Sequence, residues 1–380
     1  MLRRPLNGTS DGGGHTVTTT AAAVWGRTEQ QDFRSRVRGC LLGAAVGDAV
    51  GAGVHDRTLE EIRAAHGGAG LTEPPDGVLP VTAATQMSLF TVDGLVRAHV
   101  RRDGGVWHPP TDVHRAHLRW AATQRDWGPD ERRRDNGWLG RQEWLYARRL
   151  APRACLTGLG DERLGTPERP KNPEAADSGA LARSAPFGLL VGWEPQLVCQ
   201  LAVECAAQTH GAPAAVLAAG ALAVTVHGVA RGASVEAAVG TALELLAPRP
   251  GHEPVTRALA RALGAVREGV PDADRVTALG ADEDRAEGQL AAAVYCALVG
   301  EDVRHGLRLA VSHGGPSAVT GAVTGALLGA QHGETALPPA WLAALEGRST
   351  VLELSDDFAM ELTQSAALHT PTWHERYPVL

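Results

Sequence analysis

The chain has 380 residues, of which 44% are hydrophobic and 21% are charged, and its formal net charge is −7. This apolar share is enough for a large buried core, which excludes a disordered chain. The acidic balance excludes a domain-scale basic surface, so nucleic acid is not an expected partner.

Cysteine usage and apolar content limit the expected compartment. The five cysteines form no CxxC pair and have no histidine at zinc-finger spacing, so we expect reduced, buried thiols in a cytoplasmic protein. No run of 18 or more apolar residues is evident, and no membrane span is expected. The Ala-, Val- and Leu-rich composition with few aromatic residues is typical of helix-rich bacterial proteins.

The N-terminal part of the chain changes character near residue 32. Residues 1–31 are rich in Gly, Thr, Ser and Ala and lack the continuous apolar stretch of a signal peptide. We predict that they form a disordered tail and that residues 32–380 form one domain. Helical spacing begins near Phe33, and glycines then recur every four residues from Gly43 to Gly51. This glycine spacing predicts a helix that packs closely against another helix.

Further helical patterns predict the fold class. A Gly- and Pro-rich loop at residues 66–80 precedes a helix predicted over residues 83–101, with Thr82 as its N-cap. Beyond Gly188, amphipathic or Ala-rich patterns predict helices at residues 196–209, 212–231, 234–246, 253–268, 286–299, 302–312 and 317–331. No long β-branched alternation is evident. We therefore predict an all-α fold, a single compact bundle of about ten to fourteen helices around one core.

The segment between these regions is less regular. Within residues 103–176 lie five of the nine tryptophans, which are Trp107, Trp120, Trp127, Trp138 and Trp144. We interpret them as a satellite core, with a ring-stacking ligand site as the alternative. The basic run Arg132, Arg133 and Arg134 lies between acidic residues, which favours a solvated face over a phosphate-binding patch.

Four blocks of sequence carry a resemblance to one family. Residues 38–51 read RGCLLGAAVGDAVG, which is similar to the opening helix RGxLLGxAxGDAxG of the ADP-ribosylglycohydrolases. Residues 82–87 read TAATQM, where that family has S/T-D-D-T-Q-M. Residues 179–186 read GALARSAP and are followed by Thr-His-Gly at 209–211, which resembles G-x-x-M-R-x-A-P and a recurring family dyad. Residues 312–319 read SHGGPSAV, where the family has GGDSD-S/T.

The four blocks occur in the family's order, with fitting spacing, and the resemblance extends from residue 34 to about 356. The chain is therefore identified as a member of the ADP-ribosylglycohydrolase family. The resemblance implies a helical domain with two magnesium ions at its centre, which hold the terminal ribose of an ADP-ribosyl group and a water near its anomeric carbon. The implied ligand is ADP-ribose or an ADP-ribosylated molecule.

The carboxylates that would hold the two magnesium ions are replaced in this chain. Magnesium prefers several oxygen ligands, mostly carboxylates. Among the matching positions only the hydroxyl of Thr82 remains, and Ser317 falls between ligand positions. The degenerate metal positions are Ala83, Ala84, Pro316, Ala318 and Val319. A metal pair without anionic ligands would leave a charge of about +4 in a cleft of low dielectric, so we predict no metal cofactor and loss of metal-dependent hydrolysis.

The remaining ligand-binding positions also depart from the family. Asp177 replaces a glycine of the loop that cradles the diphosphate, and its charge would repel an anion by about 1–4 kcal/mol. His55 stands where many members have an acidic residue, and an unpaired loop histidine is favoured over a base or a ligand. His210 matches a ligand-contacting position or is a residue at a helix N-terminus. The substrate-binding positions implied by the resemblance are Thr82, Thr85, Asp177, Ser178, Gly179, His210, Gly314, Gly315 and Ser317.

Three functional hypotheses follow from these departures. The first is a pseudoenzyme that keeps its cleft and binds ADP-ribose or a related ligand without hydrolysing it. The second is an active hydrolase with altered, metal-independent chemistry, for which Glu174, Asp177 and His55 are candidate acid–base residues. The third is a non-catalytic role in protein interaction or assembly that uses the Trp-rich segment 107–144.

Overall fold

The computed structural model describes residues 25–74, 76–130, 137–364 and 368–379. Within these ranges the chain forms 17 α-helices and no β-strand, which confirms the all-α prediction. The helices, in chain order, are α1 (Arg27–Ala52), α2 (Leu59–His66), α3 (Ala83–Asp103), α4 (Pro109–Thr123), α5 (Arg153–Gly158), α6 (Ala185–Gly188), α7 (Pro195–Ala206), α8 (Pro213–Ala230), α9 (Val235–Leu246), α10 (Glu253–Ala265), α11 (Ala273–Val276), α12 (Ala286–Val299), α13 (Val303–Val311), α14 (Ser317–His332), α15 (Pro339–Ala344), α16 (Arg348–Gln364) and α17 (Pro371–Arg376).

Most long helices lie where the sequence pattern predicted them, but their number was predicted too low. The seven helices predicted beyond Gly188 correspond to α7 to α10 and α12 to α14, with ends that differ by at most three residues. The additional elements are mainly helices of four to six residues, because one or two turns are too short to show a period of 3.6 residues. Helix α4 lies inside the segment predicted to be less regular, and its two initial prolines occupy the first turn.

Helices α1 and α14 make the most extensive helix pair of the fold. They run antiparallel with their backbones in contact, and a Cβ at any of the facing glycines would overlap a backbone carbonyl of the other helix. The facing pairs are Gly39 with Gly329, Gly43 with Gly325, Gly47 with Gly321 and Gly51 with Ser317. The close packing predicted from the four-residue glycine spacing is confirmed. This contact places the start of α14 beside the end of α1.

The N-terminal boundary differs from the prediction. Helix α1 begins at Arg27, so residues 27–31 are helical rather than part of a tail. The side chain of Glu29 accepts a hydrogen bond from the Gly26 N–H at 2.8 Å, which stabilises this first turn. Residues 1–24 of the predicted tail, and the basic run Arg132, Arg133 and Arg134, lie outside the described residues.

The tryptophans of the segment 103–176 do not form one cluster. Trp120 is fully buried in the core, whereas Trp127 is fully exposed. Trp107 packs against Trp193, with ring centroids 5.8 Å apart, and the Trp138 ring lies 3.7 Å from the guanidinium carbon of Arg376. The satellite-core interpretation is therefore wrong for Trp127, while Trp120 belongs to the main core.

The structure tests two predictions made from composition, one on the cysteines and one on membrane-spanning segments. All five cysteines are buried free thiols, as predicted. Helix α8, by length and a mean hydropathy of 1.7, is apolar enough to cross a membrane, which corrects the statement that no such run exists. However, 83% of this helix is buried inside the fold, as expected for the core helix of a helical domain.

Candidate functional site

A small pocket lies where the N-terminal ends of α3 and α14 meet the turn that follows α1. Its volume is about 30 Å³, the space of one or two water molecules. Seven of its lining residues were singled out in the sequence, namely His55, Thr82, Ala83, Ala84, Gly179, Ala318 and Val319. The fold thus brings together positions from three of the four resemblance blocks and from the turn that carries His55.

Four of the five degenerate metal positions, all except Pro316, contribute to the apolar wall of this pocket. Ala83 and Ala84 occupy the first turn of α3, where Thr82 accepts a hydrogen bond from the Ala84 N–H at 3.2 Å. Ala318 lies in the first turn of α14, and the buried Pro316 directly precedes that helix. The predicted N-cap role of Thr82 is confirmed.

The carboxylate of Asp48 lies beneath this wall and is fully buried. Its oxygens accept hydrogen bonds from the Thr82 N–H at 2.8 Å and hydroxyl at 2.6 Å, and from the Thr85 N–H at 3.2 Å and hydroxyl at 2.5 Å. Burial raises the pKa of Asp48, and these four hydrogen bonds only partly offset that effect. Asp48 therefore anchors the start of α3, and both threonine hydroxyl protons are committed to it.

The residues present do not fit a pair of magnesium ions. The polar side chains of the pocket are His55 and Thr82, and no carboxylate is among its described lining residues. The Asp48 oxygens are already engaged in four hydrogen bonds. Within the described ranges, no three His, Cys, Asp or Glu side chains form a group that could hold a metal ion. A divalent pair would therefore lack the anionic ligands that it requires.

His55 joins the turn after α1 to the start of α14. Its Nδ1 accepts a hydrogen bond from the Ala318 N–H at 3.3 Å, and its side chain is 14% exposed. The other ring nitrogen, Nε2, lies 3.6 Å from the Asp56 carboxylate. His55 thus satisfies one of the free N–H groups at the start of α14.

The two glycines before α14 are required by the backbone path. Gly315 has a φ of 96°, and a Cβ there would lie 2.8 Å from the backbone of Asp282. Its N–H donates to the Arg57 carbonyl at 3.0 Å, and its carbonyl accepts from the Asp56 N–H at 2.9 Å. A Cβ on Gly314 would lie 3.0 Å from the backbone N of Leu59. These contacts hold the two loops together.

Ser317 has a structural contact as well. Its side chain is fully buried, and its hydroxyl donates to the carbonyl of His313 at 3.2 Å. The pocket includes its neighbours Ala318 and Val319 but not Ser317 itself. Its hydroxyl is therefore used within the loop.

In the loop at residues 177–179, the hydrogen-bond donors are engaged by carboxylates of the same chain. The Ser178 N–H donates to Asp284 at 3.0 Å, and its hydroxyl donates to the same oxygen at 2.5 Å. The Gly179 N–H donates to Asp177 at 3.0 Å. Successive backbone N–H groups favour anions, so Asp177 and Asp284 take the place that an external anion would otherwise occupy. Asp284 was missed in the sequence, where an acidic run before a helix start was the available signal.

His210 completes this arrangement from the buried side. Its Nε2 lies 2.8 Å from Asp177, and its Nδ1 lies 2.7 Å from the Thr209 hydroxyl. Arg183 donates to the same hydroxyl at 2.7 Å. Burial raises the pKa of Asp177, but the hydrogen bonds from His210 and Gly179 outweigh it and the pKa is lowered overall. Asp177 is therefore ionised and fully engaged.

One apolar side chain covers the pocket and was not predicted. Leu150 lines the pocket with 46% of its surface exposed, and its φ is 49°, a left-handed conformation that costs a leucine about 1–2 kcal/mol. The neighbouring residues hold this conformation. The carbonyl of Arg149 accepts from the Ala83 N–H at 2.9 Å, and Gln86 donates to the Ala147 carbonyl at 2.9 Å.

The candidate acid–base residues are not assembled into one group. Glu174 is exposed and does not line the pocket, whereas His55 lines it. Asp177 contacts His210 and the Gly179 N–H. Met87, Pro152 and Ala182 complete the pocket. Met87 and Ala182 belong to the second and third resemblance blocks, whereas no sequence pattern indicated Pro152.

Comparisons with known proteins agree with this architecture. The family model described as ADP-ribosylglycohydrolase matches residues 29–367. A solved structure described as "ADP-ribosylglycohydrolase-related protein complex" is similar at 27% identity with a TM-score of 0.58, and the match covers 88% of this chain and 99% of that chain. No curated protein matches the chain. Since the family model covers most of the sequence and the all-α fold agrees with it, this chain belongs to the ADP-ribosylglycohydrolase family.

Proposed function

We propose that this chain is a pseudoenzyme of the ADP-ribosylglycohydrolase family, one that does not hydrolyse ADP-ribosyl bonds through a dinuclear magnesium centre. The observation that carries the proposal is the pocket wall, where Ala83, Ala84 and Ala318 stand in place of carboxylates. Two divalent cations bring a charge of about +4, and a buried charge of that size requires nearby anionic ligands. Neither the pocket nor the engaged Asp48 supplies them.

The contacts within the loop at residues 177–179 indicate that an ADP-ribosyl ligand would bind only weakly. A diphosphate would have to displace Asp177 or Asp284 from the N–H groups of Ser178 and Gly179. It would also meet the repulsion of two ionised carboxylates. We therefore expect any role of the cleft to rest on binding, with an affinity for ADP-ribose in the millimolar range or weaker.

Metal-independent hydrolysis is less well supported. That chemistry needs two carboxyl groups, or a carboxyl and a base, on either side of the reacting bond. Asp177 is engaged by His210, the Nδ1 of His55 is engaged by Ala318, and Glu174 is exposed outside the pocket. No second function is favoured by a specific observation.

A turnover assay tests the proposal directly. ADP-ribosylated arginine, serine and nucleic acid are incubated with the chain in the presence of magnesium and in the presence of a chelator, with an active member of the family as positive control. We expect no turnover under either condition. Chelator-sensitive turnover would refute our interpretation of the metal positions, and chelator-insensitive turnover would establish altered hydrolytic chemistry.

Calorimetry provides a second, independent measurement. Titration with magnesium should give no saturable heat, and titration with ADP-ribose should give a dissociation constant of about a millimolar or weaker. The variant Ala83→Asp/Ala84→Asp/Ala318→Asp restores three carboxylates to the pocket wall and serves as the comparison. Magnesium binding by the parent chain at micromolar affinity would contradict the proposal.

A further inference from the structure

We propose that a cavity between α3, α4 and the C-terminal residues 378–379 binds a small anionic ligand that carries phosphate groups. The cavity has a volume of about 680 Å³, which lies within the range of small-molecule sites. It shares no lining residue with the central pocket. The proposal therefore concerns a second site, independent of the degenerate metal positions.

The charge of the cavity differs from that of the whole chain. Five arginines and three acidic residues are among its described lining residues, although the chain as a whole has a net charge of −7. One of the acids, Asp161, forms an ion pair with Lys171. The described lining is therefore locally basic on an acidic protein, which is the condition for attracting an anion to one place.

The buried Asp93 positions Arg97 and Arg119, the two arginines of the inner wall. The Arg119 side chain is 8% exposed and forms an ion pair with Asp93. Its Nε–H has no acceptor among the described residues. Asp93 also pairs with Arg97 at 2.8 Å, so one carboxylate faces two guanidinium groups. This shared carboxylate fixes the position of both guanidinium groups in the inner wall of the cavity.

Arg115 and Arg125 are the exposed arginines of the cavity, and their guanidinium groups can reach a ligand. Asp112 pairs with Arg101 at 2.9 Å, whereas Arg115 lies 3.6 Å away and is 47% exposed. Arg115 and Arg119 lie one turn apart on α4, and the exposed Arg125 follows the end of the same helix. Two arginines on α4 and one just beyond its end therefore line the cavity.

This arrangement favours phosphate over a single carboxylate. A guanidinium group presents a planar fork of donors that matches two oxygens of one phosphate. Several such forks around one cavity match a ligand with more than one charged group. The first turn of α4 contributes Thr111 to the lining, and its hydroxyl adds a polar group beside the arginines.

The test uses inorganic pyrophosphate as the probe and titration calorimetry in low-salt buffer, where screening is weak. We expect saturable binding by the full chain. The variant Arg115→Gln/Arg125→Gln should weaken it at least about ten-fold, because charge-assisted hydrogen bonds to the anion are lost. The matched control is Arg257→Gln/Arg261→Gln, since these exposed arginines line an open pocket of about 710 Å³ on α10. It should leave the affinity unchanged.

Several outcomes overturn the proposal. Absence of saturable heat up to about ten millimolar pyrophosphate removes the site. If Arg115→Gln/Arg125→Gln binds pyrophosphate with unchanged affinity, and its circular dichroism spectrum and melting temperature equal those of the parent, then pyrophosphate binds at another site and the proposal is refuted. Citrate serves as a carboxylate probe, and an affinity equal to or higher than that for pyrophosphate refutes the assignment to phosphate.

Discussion

At the scale of single residues, the site shows how carboxylates can change roles within one fold. Asp48 anchors the first turn of α3 through Thr82 and Thr85. Asp177 and Asp284 fill backbone donors of the loop at residues 177–179. None of these three side chains faces the pocket as a lining residue. The negative charge of these side chains is therefore used for structural contacts within the chain.

Replacement of Asp48 should measure this structural role. Asp48→Ala leaves two backbone N–H groups and two hydroxyls of Thr82 and Thr85 without their buried acceptor. We expect the free energy of unfolding to fall by about 3–5 kcal/mol. Asp48→Asn keeps one acceptor oxygen and should lose about half as much. Urea unfolding of both variants measures the difference, and a loss below about 1 kcal/mol in Asp48→Ala would refute the anchoring role.

At the scale of helices, the pairing of α1 with α14 decides where the pocket lies. The facing glycines let the two backbones touch, and the gain in packing offsets the low helix propensity of glycine. Because the helices are antiparallel and in register from Gly39 to Gly51, the turn with His55 meets the start of α14. The pocket is a consequence of this register.

A matched pair of glycine variants tests the contact. In Gly47→Ala the new Cβ would overlap the carbonyl of Gly321, so we expect a loss of about 3 kcal/mol or more, or failure to fold. Gly240→Ala on α9 places its Cβ in open space and should gain about 0.5–1 kcal/mol through helix propensity. Thermal and urea unfolding report both changes. Similar stabilities for the two variants would contradict the backbone contact.

At the scale of the whole molecule, ion pairs join helix α1, near the start of the chain, to helix α16, near its end. Arg38 on α1 donates to Asp356 on α16 at 2.6 Å and to Glu334 at 2.8 Å. Arg34 contacts the same aspartate at 2.6 Å. Burial alone would raise the pKa of Asp356, but the two guanidinium groups outweigh it and hold the pKa at about 2.

The stability contributed by Asp356 should therefore depend on pH. A carboxyl group with a lowered folded-state pKa stabilises the fold above its ordinary pKa of 3.8, and this contribution is lost as pH falls toward about 2. Asp356→Asn should lower the free energy of unfolding by about 1 kcal/mol at neutral pH, after allowance for solvent screening. Urea unfolding at neutral pH and near pH 3 should show a smaller difference at the lower pH.

The exposed pair of Asp32 with Arg36 provides the control for this prediction. These side chains are 2.7 Å apart on the surface of α1, with Asp32 62% exposed. Asp32→Asn should cost less than about 0.5 kcal/mol, as is usual for an exposed pair at this helical spacing. An equal loss in the two variants, or a larger effect of Asp356→Asn at low pH, would refute the role assigned to the ion pairs of Asp356 with Arg34 and Arg38.

Elements with a long apolar period could be predicted from sequence, and features that depend on distant residues could not. Helix α8 carries its pattern over 18 residues, so its position is clear without a structure. Helix α6, with four residues, forms because neighbouring helices bury it. The left-handed φ of Leu150 has no sequence signal, since its conformation is held by contacts of neighbouring residues with α3.

The amino-acid sequence by itself determined the all-α class, the glycine face of α1, the N-cap at Thr82 and the replacement of carboxylates at Ala83, Ala84 and Ala318, because these depend on residue type and local spacing. Only the tertiary structure decided what surrounds those positions. It brought Leu150 over the pocket, committed Asp48 to α3 and placed Asp284 on the loop at Ser178. The hydrogen bond between Ser178 and Asp284 alone joins residues 106 positions apart, and packing rather than local preference selects such contacts.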